Sequence, residues 1–185
     1  MDTIREEFSE YWFQFILKHA DKGINWKGVS RNRNVRWALV EKHMDAPWDW
    51  DSLSRHARKE IVDKYPKKGW NWNVLSRKSW VDWDYVMKHM HYPWNWRYLS
   101  SNENIPIKCF LDNNNIAMVH WEAISFRHDV TWELVKEYPN VPWNPHALSK
   151  NDTVTYKIVE ENPEIQWNHV MLSRNKNITI DDVLN

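Results

Sequence analysis

The stretch Pro93-Trp94-Asn95-Trp96-Arg97-Tyr98-Leu99-Ser100-Ser101-Asn102 decides the fold. Asn is among the best helix N-caps. Asn95 has one apolar residue before it, Trp94, and another, Leu99, four positions into the helix it would start. That pairing is a hydrophobic staple, so the stretch reads as the entry to a short helix reaching Ser100.

Outward from it the pattern returns. With Ser100 as anchor, equivalent residues are Ser30, Ser54, Ser76, Ser125, Ser149 and Ser173, and successive anchors lie 24, 22, 24, 25, 24 and 24 residues apart. Six positions before each anchor stand Ile24, Trp48, Trp70, Trp94, Val119, Trp143 and Trp167; one before stand Val29, Leu53, Leu75, Leu99, Ile124, Leu148 and Leu172. Between these columns lies the cap position, Asn25, Asp49, Asn71, Asn95, His120, Asn144 and Asn168. Four before the anchor come Trp26, Trp50, Trp72, Trp96 and Trp121, lapsing to Pro145 and His169.

A second staple follows in most units, as Val35/Val40, Val81/Val86, Ile105/Phe110, Val130/Val135, Val154/Val159 and Ile178/Val183. Asp82, Thr131, Thr155 and Thr179 are good caps for it, whereas Arg36 and Pro106 are poor. Each unit thus reads as two helices, the first roughly seven to eight residues and the second eight to ten. Pro47, Pro93 and Pro142 are expected to close the second helix. Residues 1–22 fit as a cap helix, with Thr3 and Glu6 as a capping box and Ile4, Phe8, Trp12, Phe15 and Ile16 on one face. The expected fold is therefore all-α: a single repeat domain over residues 1–185, an α-solenoid of about seven ~24-residue helical hairpins (residues 24–185) behind that cap helix. A β-solenoid or leucine-rich repeat has the same period, but strand alternation is absent.

Composition narrows the function. The 185 residues hold 25 basic and 25 acidic groups, which argues against a polycationic DNA-coating protein. Fifteen Trp against three Gly exclude disorder, because that much indole needs burial. No apolar run approaches the ~18 residues that span a bilayer, and the N-terminus lacks the pattern of a signal peptide, so an intracellular protein is expected. The lone Cys109 forms no intrachain disulfide and reads as a buried, inert thiol.

The motifs Pro47-Trp48-Asp49-Trp50 with Leu53-Ser54, Pro93-Trp94-Asn95-Trp96 with Leu99-Ser100-Ser101-Asn102, and Ser173-Arg174-Asn175-Lys176-Asn177-Ile178-Thr179 resemble the tryptophan-rich tandem repeats of large DNA viruses. The resemblance covers roughly residues 24–185. It implies a viral origin and a place in the infected cell or the virion, and it carries no catalytic residue across.

Chemistry has few candidates. An enzyme needs one activated nucleophile with an oriented base, whereas the anchor serines recur once per unit without a companion His or carboxylate. No metal or cofactor site and no catalytic residue is expected; His43, His89 and Tyr138 share a repeat position that suits a helix C-terminus. The most informative polar positions follow the anchor: Arg31, Arg55, Arg77, Lys150 and Arg174, then Asn32, Asn102, Asn151 and Asn175, with His56, Lys78 and Arg127 in other units. One reading is a basic, hydrogen-bonding ladder with exposed Trp as stacking platforms. The other is a helix terminus, with the Asn left-handed and the cation near the last carbonyls. Residues 1–92 carry 17 basic and 13 acidic groups, net +4, and residues 93–185 carry 8 and 12, net −4. The cluster Arg58, Lys59, Lys64, Lys67 and Lys68 could meet an acidic partner. The leading expectation is a scaffold that binds a protein partner through an extended surface. Single-stranded nucleic-acid binding along the ladder is the alternative, and self-association through an uncapped last repeat a further possibility.

Overall fold

The computed structural model describes residues 2–19, 23–113 and 117–179. Among these residues all regular structure is helical: α1 (Asp2–Lys18), α2 (Trp26–Arg31), α3 (Trp37–Lys42), α4 (Trp50–Leu53), α5 (Lys59–Lys64), α6 (Trp72–Leu75), α7 (Trp83–Lys88), α8 (Trp96–Ser100), α9 (Ile107–Leu111), α10 (Trp121–Ser125), α11 (Trp132–Glu137), α12 (Pro145–Lys150), α13 (Tyr156–Glu161) and α14 (His169–Leu172). A 3₁₀ turn, Ser54–His56, prolongs α4. Eight of these helices open on Trp. The chain forms two compact units, residues 1–75 and 76–185.

The caps sit where the staples put them. In all seven first helices the cap side chain accepts from the backbone N–H three residues on, from Asn25 to Gly28 through Asn168 to Met171, with the His120 ring doing the same for Ala123. Asp82, Thr131 and Thr155 cap second helices likewise, whereas Arg36 and Pro106 make no cap bond. The Thr179 cap and the Ile178/Val183 staple involve residues 180–185, outside the described residues.

The helices are shorter than expected, four to six residues after α1. At five second helices a tryptophan closes the end, and at α5, α11 and α13 Pro66, Pro139 and Pro163 also follow the last residue directly. The Trp48 indole N–H donates to the carbonyl of His43, the C-cap of α3, at 2.8 Å, and Trp70, Trp94, Trp143 and Trp167 do the same to Tyr65, His89, Tyr138 and Asn162. A helix-ending carbonyl is thus satisfied from outside and the helix needs no further turn. Pro47, Pro93 and Pro142 do not end helices. Each lies at the centre of a three-residue turn in which the following Trp N–H donates back to the carbonyl before the proline, at 2.7–2.8 Å. Proline's fixed φ suits that turn, and Gly69 and Gln166 occupy its centre elsewhere.

The core is the two staple columns. Trp48, Leu53, Trp70, Leu75, Trp94, Leu99, Val119, Ile124, Leu148 and Leu172 are buried. Trp26, Trp50 and Trp121 each meet the next unit's indole edge to face, at 5.6 and 5.0 Å between centroids for the buried Trp48 and Trp70 and 6.4 Å for the half-buried Trp143, with 73–86° between planes. Such edge-to-face pairs explain why Trp recurs at both positions.

α1 departs from expectation. It already includes Thr3, so Thr3 is not its cap, and Ile4, Phe8 and Phe15 face solvent. The helix docks through Ser9, Trp12, Phe13 and Ile16 instead.

Candidate functional site

The anchor serines are structural, in a way their position alone does not reveal. Each hydroxyl accepts from the backbone N–H of the next unit's cap residue: Ser30 from Asp49, Ser54 from Asn71, Ser76 from Asn95, Ser100 from His120, Ser125 from Asn144 and Ser149 from Asn168, at 2.8–3.0 Å. Ser54, Ser125 and Ser149 also donate to the carbonyl one turn earlier. All six are buried. A cap residue's own N–H precedes its helix and has no helical acceptor, so the serine supplies one. Ser173 is exposed and donates to Val170.

The asparagines of the ladder also face inward. Asn102 donates through Nδ2 to the carbonyls of Ser76 and Lys78, Asn151 to Val130, and Asn175 to Ser149, Asn151 and Val154. Their Oδ1 atoms accept from the N–H two residues on, as does that of Asn32. Asn32 and Asn151 have φ of −68° and −66°, and no described non-glycine residue has a positive φ, so none of them is left-handed. An Asx turn holds the chain extended and releases the amide N–H₂ to bridge units. Arg127 fills the same role. It is buried, donates to the carbonyls of Ser100, Asn102 and Ile105, and pairs with Asp129 at 2.6 Å.

The cations one position earlier point the other way. Arg31, Arg55, Arg77, Lys150 and Arg174 are all exposed. Arg31 Nε donates to the Ser52 hydroxyl at 3.1 Å, and the Arg77 guanidinium lies 3.5 Å from the Tyr98 ring centroid. In residues 76–185 the row lines two open grooves. The first, about 900 Å³, holds Arg77, Ser101 and Phe126 from three successive units, together with Arg97, Tyr98 and Glu103. The second, about 320 Å³, starts from Phe126 and holds His128, Lys150 and Asp152. Phe126, 43% exposed, is the shared apolar point.

No protein-family model, curated protein or solved structure matches this chain. Its site is therefore read from its own geometry. The structure brings Arg77 and Asn102 to one groove and Lys150 and Asn151 to the next, while Arg31, Arg55 and Arg174 lie in neither. Arg97, Tyr98, Phe126 and Glu103 were not legible as site residues, since only the apolar Phe126 at a cationic repeat position broke pattern. None of the fifteen tryptophans is fully exposed: Trp48, Trp70, Trp94 and Trp132 are buried and the others half-buried, so none stands free as the stacking platform that the nucleic-acid reading invokes. Of the basic cluster, Lys64 pairs with Glu41 at 2.8 Å and Lys68 lies over Trp50. The Glu41 hydrogen bond holds the Lys64 ammonium above its ordinary pKa.

Among the described residues no group of three His, Cys, Asp or Glu side chains could hold a metal, and no helix is long and apolar enough to cross a membrane. Cys109 is half-buried; burial, with Asp112 and Asp84 nearby, pushes its thiol pKa up and keeps it protonated.

Proposed function

We propose that the chain is a non-enzymatic scaffold built on the α-solenoid plan, about seven ~24-residue helical hairpins behind α1, which binds a protein partner along the row that follows the anchor serines. The supporting observation is the mixed lining of the two grooves at that row. Arg77, Arg97 and Lys150 supply positive charge, Phe126 an apolar contact, and Glu103 and Asp152 stand beside them. Carboxylates interleaved with the cations weaken the hold on a phosphate backbone, although Lys176 pairs with Asp152 at 2.7 Å, and they suit an extended peptide carrying both charges and an apolar anchor. Single-stranded nucleic acid is the weaker reading for that reason, and because Arg77 already covers the Tyr98 face. The likeness of the motifs to viral tryptophan-rich repeats supports a viral protein acting inside the infected cell.

A photo-crosslinking amino acid at Phe126, in cells, tests the reading. A discrete protein adduct that Arg77→Glu with Lys150→Glu abolishes is expected. RNA or DNA adducts, with no protein adduct, would overturn it.

A further inference from the structure

α1 carries two apolar faces. One is fixed: Phe13 is fully buried and stacks on Trp48 at 5.2 Å, and Glu10 meets His43 at 3.1 Å and Lys42 at 3.1 Å. The other points outward, with Ile4 71%, Phe8 56%, Tyr11 74% and Phe15 54% exposed. Their spacings of four, three and four residues follow the seam of a coiled coil rather than scattered surface positions. Because Phe13 and Glu10 fix the rotation of the helix, the seam cannot turn inward.

We propose that this seam is a homodimer interface in which α1 lies antiparallel on α1 of a second copy, Ile4 against the partner's Phe15 and Phe8 against the partner's Tyr11. The exposed parts of the four residues come to roughly 500 Å² per copy, or about 1,000 Å² for the pair when fully covered, the least that a specific interface buries and in keeping with a weak dimer. Charge sets the orientation. Of the charges on residues 2–10, Glu10 is taken up by Lys42 and His43 on the docked face, which leaves Asp2, Glu6 and Glu7 against Arg5, net −2, and residues 11–19 carry Lys18, net +1. Parallel pairing would set −2 against −2. Antiparallel pairing sets −2 against +1 and opposes the helix dipoles. The acidic half also disfavours a lipid surface, since interfacial helices carry Lys and Arg on their polar faces. This self-association is independent of the grooves at Phe126 and uses the opposite end of the chain from the last repeat.

Sedimentation equilibrium of the full chain tests it. A monomer–dimer equilibrium is expected in the micromolar range, abolished by Tyr11→Glu and retained by Lys27→Glu, an exposed position on α2. Orientation is read by disulfide trapping with Cys109→Ser: mixing Ile4→Cys with Phe15→Cys chains gives a covalent heterodimer, and Ile4→Cys alone gives none, because the two copies of position 4 stand about 16 Å apart along an antiparallel pair. This second readout stands even if Tyr11→Glu unfolds α1. A chain monomeric up to about 100 μM, a dimer indifferent to Tyr11→Glu in a folded variant, or self-crosslinking of Ile4→Cys would each overturn the proposal. So would a monomer that binds neutral vesicles through this face.

Discussion

The Ser125 hydroxyl accepts a hydrogen bond from the backbone N–H of Asn144 at 3.0 Å while donating its own proton to the Trp121 carbonyl at 2.8 Å. One small side chain thereby closes its own helix and holds the chain entering the next. Ser125→Ala removes the only acceptor shown for the Asn144 N–H. It should cost about 1–3 kcal/mol in denaturant unfolding, and Ser173→Ala, at an exposed hydroxyl, under about 0.5 kcal/mol. Equal costs would mean that the inter-unit bond contributes nothing.

Arg36 and Arg58 stand at second-helix cap positions without making a cap bond, where Asp82, Thr131 and Thr155 make one. A cation there also opposes the helix dipole. Arg36→Thr should therefore stabilise residues 1–75 by about 0.5–1 kcal/mol. Thermal unfolding of the variant checks this, and a lower midpoint would show that Arg36 makes a stabilising contact of its own.

Arg127 does with a guanidinium what Asn102, Asn151 and Asn175 do with an amide. Arg127→Ala leaves buried carbonyls of Ser100, Asn102 and Ile105 without this donor and should cost on the order of 3 kcal/mol. Arg127→Asn should recover part of that loss, because the asparagine in other units reaches equivalent carbonyls. If Asn were as damaging as Ala, the equivalence of the two side chains would be wrong.

Acid should loosen α1. Burial pushes the Glu10 pKa up, but hydrogen bonds from Gln14, Lys42 and His43 outweigh it and hold the carboxyl below its ordinary 4.5. A depressed carboxylate stabilises the folded state above that value and loses its contribution as pH falls through the folded pKa. Between pH 7 and pH 3.5 the melting temperature should thus fall further for wild type than for Glu10→Gln, which has no such proton to gain. Parallel declines would remove Glu10 from the docking of α1.

The caps and staples were legible because both act within five residues: Asn95 and Trp94 with Leu99 specify a helix start wherever they occur. Helix ends were legible only in part. Tyr65, Tyr138 and Asn162 stand directly before Pro66, Pro139 and Pro163, whose rings exclude a helical residue, but His43 and His89 end their helices with no Gly or Pro beside them, at ψ of 50° and 38°, with an indole N–H arriving from five residues on. The α1 pattern was ambiguous, since both faces are apolar and only the position of Trp48 and His43 decides which is buried. The groove at Phe126 was hidden for a related reason: it gathers residues from three successive units. The serine and asparagine bridges span 17–26 residues, and their one trace in the sequence is that the same small polar residue returns from period to period.

Successive repeats are tied to one another through the cap amides, which leaves the row after each anchor facing outward. Residue-resolved hydrogen exchange of the native protein measures this directly. The backbone N–H of Asp49, Asn71, Asn95, His120, Asn144 and Asn168, though outside the helices, should exchange on the order of 100-fold or more slower than in an unfolded chain. In Ser125→Ala the protection of Asn144 alone should collapse. Exchange of these six amides at the rate of exposed loops would contradict the account.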